Sequence, residues 1–113
     1  MALGMVCLTV AATSVSAFAA SKTNPFMTQS CSTSKASASM SIGSDTAFLE
    51  IMMLVTQTNK MDAYDTRTPQ YMYSKNGSSV SGSKSALTGY EINYTDFKFY
   101  VDNITMKTIR KYA

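Results

Sequence analysis

The chain contains no histidine, so serine and lysine are the first residue types to consider for catalysis. Histidine is the commonest general base and a usual zinc ligand, so its absence argues against Ser-His or Cys-His hydrolases and most zinc sites. Residues 32–35 and 81–84 match S-x-x-K, the spacing at which a lysine deprotonates a serine one helical turn away. Neither match lies in a predicted helix. The sequence therefore predicts no catalytic residue and no cofactor.

Aspartates are the next candidates, since glycoside hydrolysis uses a pair of carboxylates. The residues that could supply such a pair are Asp62, Asp65, Asp96 and Asp102. Calcium is an alternative ligand for Asp62 and Asp65, but their spacing lacks the alternating Asp/Asn-Gly pattern of a recognised calcium loop. We predict solvated acids in loops and no metal site, with a small glycan-active enzyme as an alternative.

Tyrosines recur at alternating positions and could contact a ligand. Tyr71 and Tyr73 form one such pair, and Tyr90 and Tyr94 form another. Tyrosine combines an apolar ring with a polar tip, so a sugar ring or a peptide could stack on either pair. Alternating aromatic residues in a strand also arise from core or cross-strand packing, and this second interpretation is the one that the sequence favours.

Cysteine usage limits the covalent chemistry. Of the two cysteines, Cys7 lies in an apolar segment that we predict to be removed, so the remaining chain keeps Cys31 alone. One cysteine cannot form an intramolecular disulfide. Cys31 lies in a run of serine and threonine. We expect that it either forms a disulfide between two copies of the chain, which would make a homodimer, or is an inert residue.

The first nineteen residues have the pattern of a signal peptide. No charged residue occurs between Met1 and Ala20, and small residues precede the expected cleavage point between Ala19 and Ala20. Hydroxyl side chains interrupt the segment, which argues against a membrane-spanning helix. The usual basic start is missing, so we expect the true start to lie upstream of Met1. The sequence thus predicts an extracellular protein whose mature part does not span a membrane.

After the signal peptide we expect a flexible leader over residues 20–34, rich in serine and threonine, and one domain over residues 35–113. The 94 residues that follow residue 19 are about the length of a single immunoglobulin-type sandwich, roughly 100 residues. The net charge of +3 is spread along the chain. It suits an anionic wall or surface but forms no basic stripe, so we expect no nucleic-acid partner.

Apolar residues alternate with period two along most of the domain, which indicates strands. Residues 47–55 are apolar on both faces except at Glu50, so this segment is the predicted central strand. Residues 57–69 are polar, which predicts either a functional loop or an edge strand that lacks the usual pattern. The sequence therefore predicts an all-β fold, a single antiparallel sandwich.

Turn residues separate these segments. Asn76 and Gly77 form a strong turn signal, and Asp102 and Asn103 predict a terminal hairpin because both residue types tolerate a positive φ. The parity of the apolar positions changes after Tyr94, so we predict a bulge near residues 95–96.

Several pieces together resemble a known group of proteins. They are the A-F-A-A motif of residues 17–20, the KASASMSIG strand of residues 35–43 and the hairpin of residues 97–112, rich in tyrosine and phenylalanine. In these pieces the chain resembles the small secreted proteins of Gram-positive bacteria that have an immunoglobulin-like β-sandwich. The resemblance implies a fold and an extracellular location, and it transfers no functional residue.

Three functional hypotheses remain after these exclusions. The first is a secreted or cell-surface module, not an enzyme, that binds another protein or a component of the cell envelope. The second is a bacteriocin-like or toxin peptide, for which a small size and a mild positive charge are suitable. The third is the glycan-active enzyme based on the aspartates.

Overall fold

The computed structural model describes residues 20–113, so the predicted signal peptide and Ala19 lie outside the described residues. Every helix or strand element within residues 20–113 is a β-strand, which confirms the predicted all-β class for this part of the chain. The same residues include no helix long and apolar enough to cross a membrane. The strands are β1 (Phe26–Cys31), β2 (Lys35–Ser41), β3 (Ala47–Asn59), β4 (Asp62–Arg67), β5 (Gln70–Gly77), β6 (Ser79–Ser85), β7 (Tyr90–Val101) and β8 (Ile104–Tyr112).

These strands form two antiparallel sheets in a sandwich-like arrangement. The small sheet has the order β1-β2-β6, and the large sheet has the order β4-β3-β7-β8 with β5 also paired to β3. β4 and β5 follow one another along the same edge of β3. Three connections cross between the sheets, from β2 to β3, from β5 to β6 and from β6 to β7.

The core lies between the two sheets and takes alternate residues, most of them from β2, β3 and β7. Side chains that alternate along a strand point to opposite faces, so one face of each sheet supplies the interior. The largest fully buried side chains include Phe97 and Phe99 of β7 and Met53 of β3. The buried apolar core consists of Ala36, Ala38, Met40, Ile42, Leu49, Ile51, Met53, Val55, Val80, Ile92, Phe97, Phe99 and Val101.

The predicted central strand is confirmed. β3 pairs with β7 on one side and with β4 and β5 on the other, so most of its length lies inside the large sheet. A strand with neighbours on both sides has its backbone groups satisfied within the sheet. Its inward apolar residues are buried, and its outward Phe48, Met52 and Leu54 are half-buried beside the neighbouring strands. This position explains the apolar run of residues 47–55.

The polar segment of residues 57–69 contains the end of β3 and the edge strand β4. β3 continues to Asn59, the chain turns, and β4 returns antiparallel to it. Threonine hydroxyls join across this pair, Thr58 to Thr66 at 3.1 Å and Thr56 to Thr68 at 3.0 Å. Cross-strand hydroxyl pairs stabilise a sheet without apolar residues, so the apolar alternation that marks other strands is absent here.

The predicted flexible leader needs correction, because strand β1 lies within it. β1 pairs with β2 along its full length, and Met27 and Cys31 pack against the core. β6 was not predicted either. It lies in a serine-rich stretch in which Val80 alone is both apolar and buried. The inward positions also include Gln29 in β1 and Gly82 in β6, so neither strand produces a strong hydrophobic alternation.

The turn at residues 102–103 agrees with the predicted hairpin, since Asp102 and Asn103 have φ values of 49° and 67°. The predicted bulge is displaced by about two residues. Thr56 of β3 faces Tyr94, whereas Gln57 faces Ile92, so Asn93 is the extra residue in β7.

Candidate functional site

The outer face of the large sheet points away from the small sheet, and no other described element covers it. Along β3 and β7, its residues alternate with the buried ones. The pairing registers of β5 with β3 and of β8 with β7 place further residues on the same side. Its apolar and charged residues are Phe48, Glu50, Met52, Leu54, Met72, Tyr94, Asp96, Lys98, Tyr100, Arg110 and Tyr112. Its polar residues are Thr56, Gln70, Ser74, Asn76, Thr105 and Thr108. Met72 and Tyr112 are exposed on this face, and its other apolar side chains are half-buried. Exposed apolar residues that share one face mark interaction sites in soluble proteins.

One end of this face, which we call the aromatic end, comprises Tyr94, Asp96, Arg110 and Tyr112. Tyr94 faces Tyr112 across β7 and β8, with ring centroids 5.7 Å apart and planes inclined at 59°. The Arg110 guanidinium carbon lies 4.0 Å from the centroid of the Tyr94 ring. Tyr112 is 69% exposed. The end therefore presents one open tyrosine ring beside a cation that stacks on the other.

Asp96 holds Arg110 in this position. Arg110 donates to both carboxylate oxygens, from Nε to Oδ1 at 2.7 Å and from Nη2 to Oδ2 at 3.0 Å. Such a two-point contact sets the plane of the guanidinium. The Asp96 carboxylate, followed by the Tyr112 hydroxyl, raises the pKa of Arg110 above its ordinary value. The cluster contains one positive and one negative charge, and these compensate each other.

The middle of the outer face, which we call the apolar centre, comprises Phe48, Met52, Leu54, Met72 and Tyr100. Met52 faces Met72 on one side and Lys98 on the other. Met72 is 46% exposed. Methionine adapts its shape to a contact surface, so this part of the face suits packing against another molecule.

Tyr71 and Tyr73 lie on the opposite, inner side of the large sheet. Both are half-buried and pack against the core. The Tyr73 hydroxyl donates to the Ser83 carbonyl at 2.9 Å, and the Lys84 ammonium lies 5.0 Å from the centroid of the Tyr71 ring. The large sheet separates these two tyrosines from the aromatic end, so Tyr71 and Tyr73 belong to a different surface from that end.

Tyr90 is also separate from Tyr94, because the bulge at Asn93 turns them to opposite faces. The Tyr90 hydroxyl donates to Asp65 at 2.5 Å, Asn59 donates to the same carboxylate at 3.1 Å, and Arg67 donates to it at 3.2 Å. The hydrogen bond from Tyr90, and then that from Asn59, lowers the pKa of Asp65. The same bond to Asp65 raises the pKa of Tyr90. This network ties β4 to β3 and β7.

All of the aspartates considered for glycoside chemistry accept hydrogen bonds within the fold. Asp62 accepts from the Tyr64 amide at 3.0 Å, and Asp102 accepts from the Phe48 amide at 2.9 Å. Asp65 and Asp96 lie in the networks described above, each with an arginine. Within residues 20–113, no three histidine, cysteine or acidic residues lie close enough together to hold a metal ion.

Cys31 ends strand β1 and is half-buried. Its sulfur lies 3.4 Å from the hydroxyl of the fully buried Thr95, and its side chain packs against the core. The thiol therefore has contacts inside its own domain. A disulfide between two copies through Cys31 stays a prediction.

The sequence pattern did not indicate Arg110 and Tyr112 as site residues, although both lie in the predicted terminal hairpin. Val101 pairs with Ile104 beside the turn. If the two strands paired residue for residue from there, Tyr94 would face Lys111. Met106 is an extra residue in β8, and it shifts the register by one so that Tyr94 faces Tyr112. A bulge in the last strand was the missing information.

The hairpin between β3 and β4 presents a second exposed tyrosine, Tyr64, which is 98% exposed beside the equally open Met61. No charged pair or second aromatic ring accompanies Tyr64 in the described contacts.

Comparison of the chain with protein-family models and with curated protein sequences gives no match.

Proposed function

We propose that this chain is an exported binding module, not an enzyme, that holds sugar rings of the cell envelope at the aromatic end. The observation that carries the proposal is the open ring of Tyr112 beside Arg110, whose guanidinium is held by Asp96. Binding sites combine apolar surface with a few oriented polar groups, and the aromatic end contains both.

Charge and shape favour a sugar as the ligand. The paired Asp96 and Arg110 leave no net charge to be neutralised, so a neutral ligand suits the site. A sugar ring has an apolar face that stacks on an aromatic ring and hydroxyl groups that form hydrogen bonds at its edge. Tyr112 offers the ring, while Arg110 has further N–H groups and Asp96 further lone pairs for those hydroxyls.

We further infer that the sandwich is of the immunoglobulin-like type. In support, the order β1-β2-β6 faces the order β4-β3-β7-β8, and consecutive strands cross repeatedly between the sheets. This distribution of neighbours fits the Greek-key connections of that architecture. The uncharged segment of residues 1–20, with small residues before Ala20, supports export.

Co-sedimentation with insoluble polysaccharide tests the proposal. The purified protein is mixed with peptidoglycan sacculi, chitin or cellulose, and the fraction that sediments is measured. We expect binding to at least one polymer and a fall of about tenfold or more in affinity for Y112A, since stacking of one ring contributes on the order of 1 kcal/mol or more.

Y64A is the matched control, because Tyr64 is also exposed but lies on the β3–β4 hairpin. Its affinity should equal that of the unchanged protein. Equal loss in Y64A and Y112A, or no binding to any of the polymers, would argue against a sugar site at the aromatic end.

A further inference from the structure

Glu50 and Lys98 are diagonal neighbours in the middle of the apolar centre. Glu50 of β3 faces Tyr100, while Lys98 of β7 faces Met52, so the two charged side chains occupy opposite corners of a four-residue patch. Both are half-buried. Glu50 lies between Phe48 and Met52 along β3, with Ser74 of β5 opposite it. Lys98 lies between Asp96 and Tyr100 along β7, with Thr108 of β8 opposite it.

Neither charge has a partner within residues 20–113. The ion pairs in this part of the chain join Arg67 to Asp65 and Arg110 to Asp96, and no hydrogen bond of the Glu50 or Lys98 side chain occurs there. The outer face thus contains one compensated pair at its aromatic end. It also contains one acid and one base without partners at its centre.

We propose that the apolar centre binds a second copy of this chain, in a two-fold symmetric dimer in which Glu50 of each copy pairs with Lys98 of the other. In a two-fold interface every contact occurs twice, so the surface must be complementary to itself. A patch with one acid and one base meets this condition. A patch with a single sign of charge would repel its copy.

The geometry of the face permits this pairing. A two-fold axis in the plane between the two stacked faces, perpendicular to the line from Glu50 to Lys98 at its midpoint, places each of these side chains over its counterpart. The same rotation brings the apolar residues around Met52 and Tyr100 together and removes them from water. The charges then select the register of the two copies, as complementary charges do in other interfaces.

The dimer leaves the aromatic end outside its centre. Tyr94 and Tyr112 lie two outward-facing positions along β7 and β8 from the level of Lys98, with Asp96 and Arg110 between. The inference rests on Glu50 and Lys98 and not on the proposed sugar binding. Its test uses no polysaccharide, so either proposal can fail alone.

Sedimentation equilibrium of the purified protein, with a reducing agent to remove any disulfide through Cys31, measures the dimer. We expect dimerisation of the unchanged protein. E50K and K98E should each raise the dimer dissociation constant by about tenfold or more, because each variant places like charges together twice. Circular dichroism confirms that both variants are folded.

Mixing the two variants is the decisive step. In a heterodimer, the lysine that replaces Glu50 faces the glutamate that replaces Lys98, and the native Lys98 and Glu50 of the two chains face each other. The mixture should therefore dimerise with about the affinity of the unchanged protein, although each variant alone does not.

E91K and K60E are matched controls with the same net charges, and they lie at the far end of β7 and in the turn between β3 and β4. Both should dimerise normally. The proposal is overturned by a monomeric unchanged protein, by a mixture that stays monomeric, or by controls that dissociate as readily as E50K and K98E.

Discussion

The ring of Tyr73 on β5 lies directly on Gly82 of β6, and this contact joins the large sheet to the small one. A methyl group added at position 82 would overlap with the Tyr73 ring. The Tyr73 hydroxyl also donates to the Ser83 carbonyl, so the ring cannot swing away without losing that bond. Glycine at 82 thus allows the two sheets to approach at this edge.

G82A should lower the free energy of unfolding by about 1–3 kcal/mol, the usual cost of overpacking. Urea unfolding measures the change. S81A, whose side chain lies on the solvent side of the same strand, should alter stability by less than about 0.5 kcal/mol. If the overlap with the ring is the cause, G82A should cost much less in a Y73A background, and equal costs in both backgrounds would contradict it.

Gln57 supplies a second prediction, because it is a fully buried polar side chain. Its Oε1 accepts from the Leu87 amide at 2.7 Å, and its Nε2 donates to the Val55 carbonyl at 3.3 Å. Q57L should lower the free energy of unfolding by about 1–3 kcal/mol, since it leaves the Leu87 amide unsatisfied. Q70L makes the same change at an exposed position, and thermal unfolding should show little difference there.

The turn at Asp102 supplies a third prediction. Asp102 accepts a hydrogen bond from the Phe48 amide and donates its own amide to the Phe48 carbonyl, and it has a positive φ. D102A should lower the free energy of unfolding by about 1–2 kcal/mol through loss of the carboxylate bond and strain at that φ. N103G should be neutral or stabilising, because glycine adopts the left-handed region freely. A destabilising N103G would contradict this explanation.

The Asp65 network predicts a dependence on pH. The pKa of Asp65 is lower in the folded protein than its ordinary value, so ionised Asp65 stabilises the fold above about pH 4. That contribution is lost as the pH falls through the folded pKa. D65N should therefore be less stable than the unchanged protein at neutral pH, and the difference should shrink below about pH 4. Urea unfolding across this range measures the difference.

Tyr90 offers an independent readout of the same network. Its pKa is raised by the hydrogen bond to Asp65. Ultraviolet titration of D65N should show one tyrosine whose pKa falls toward the ordinary value of about 10. D62N, which changes a neighbouring acid without contact to Tyr90, should leave the titration unchanged. A similar shift in D62N would show that general charge, and not the hydrogen bond, sets the pKa.

The parts of the fold that follow from local chemistry could be predicted from the sequence. The hairpin at Asp102 and Asn103 depends on two residues that tolerate positive φ. The central position of β3 depends on apolar residues on both faces. β1 and β6 could not be found in the same way, because their inner residues include Gln29 and Gly82, whose places depend on strands far away in sequence.

The candidate site depended on register, which the sequence did not reveal. Alternation showed that Tyr71 and Tyr94 each share a face with other residues, but it could not show which face the small sheet covers. The extra residues Asn93 and Met106 then decide which side chains meet. Bulges arise from the fit between partner strands, so they leave little trace in one strand alone.

The central claim is that the aromatic end binds sugar rings, and amide chemical-shift mapping by NMR tests it most directly. Isotope-labelled protein is titrated with soluble fragments of peptidoglycan, or with chitin or cellulose oligosaccharides. The predicted result is a saturable change centred on Tyr94, Asp96, Arg110 and Tyr112. No change with any of these sugars, or changes centred on the Tyr64 hairpin or the small sheet, would contradict the claim.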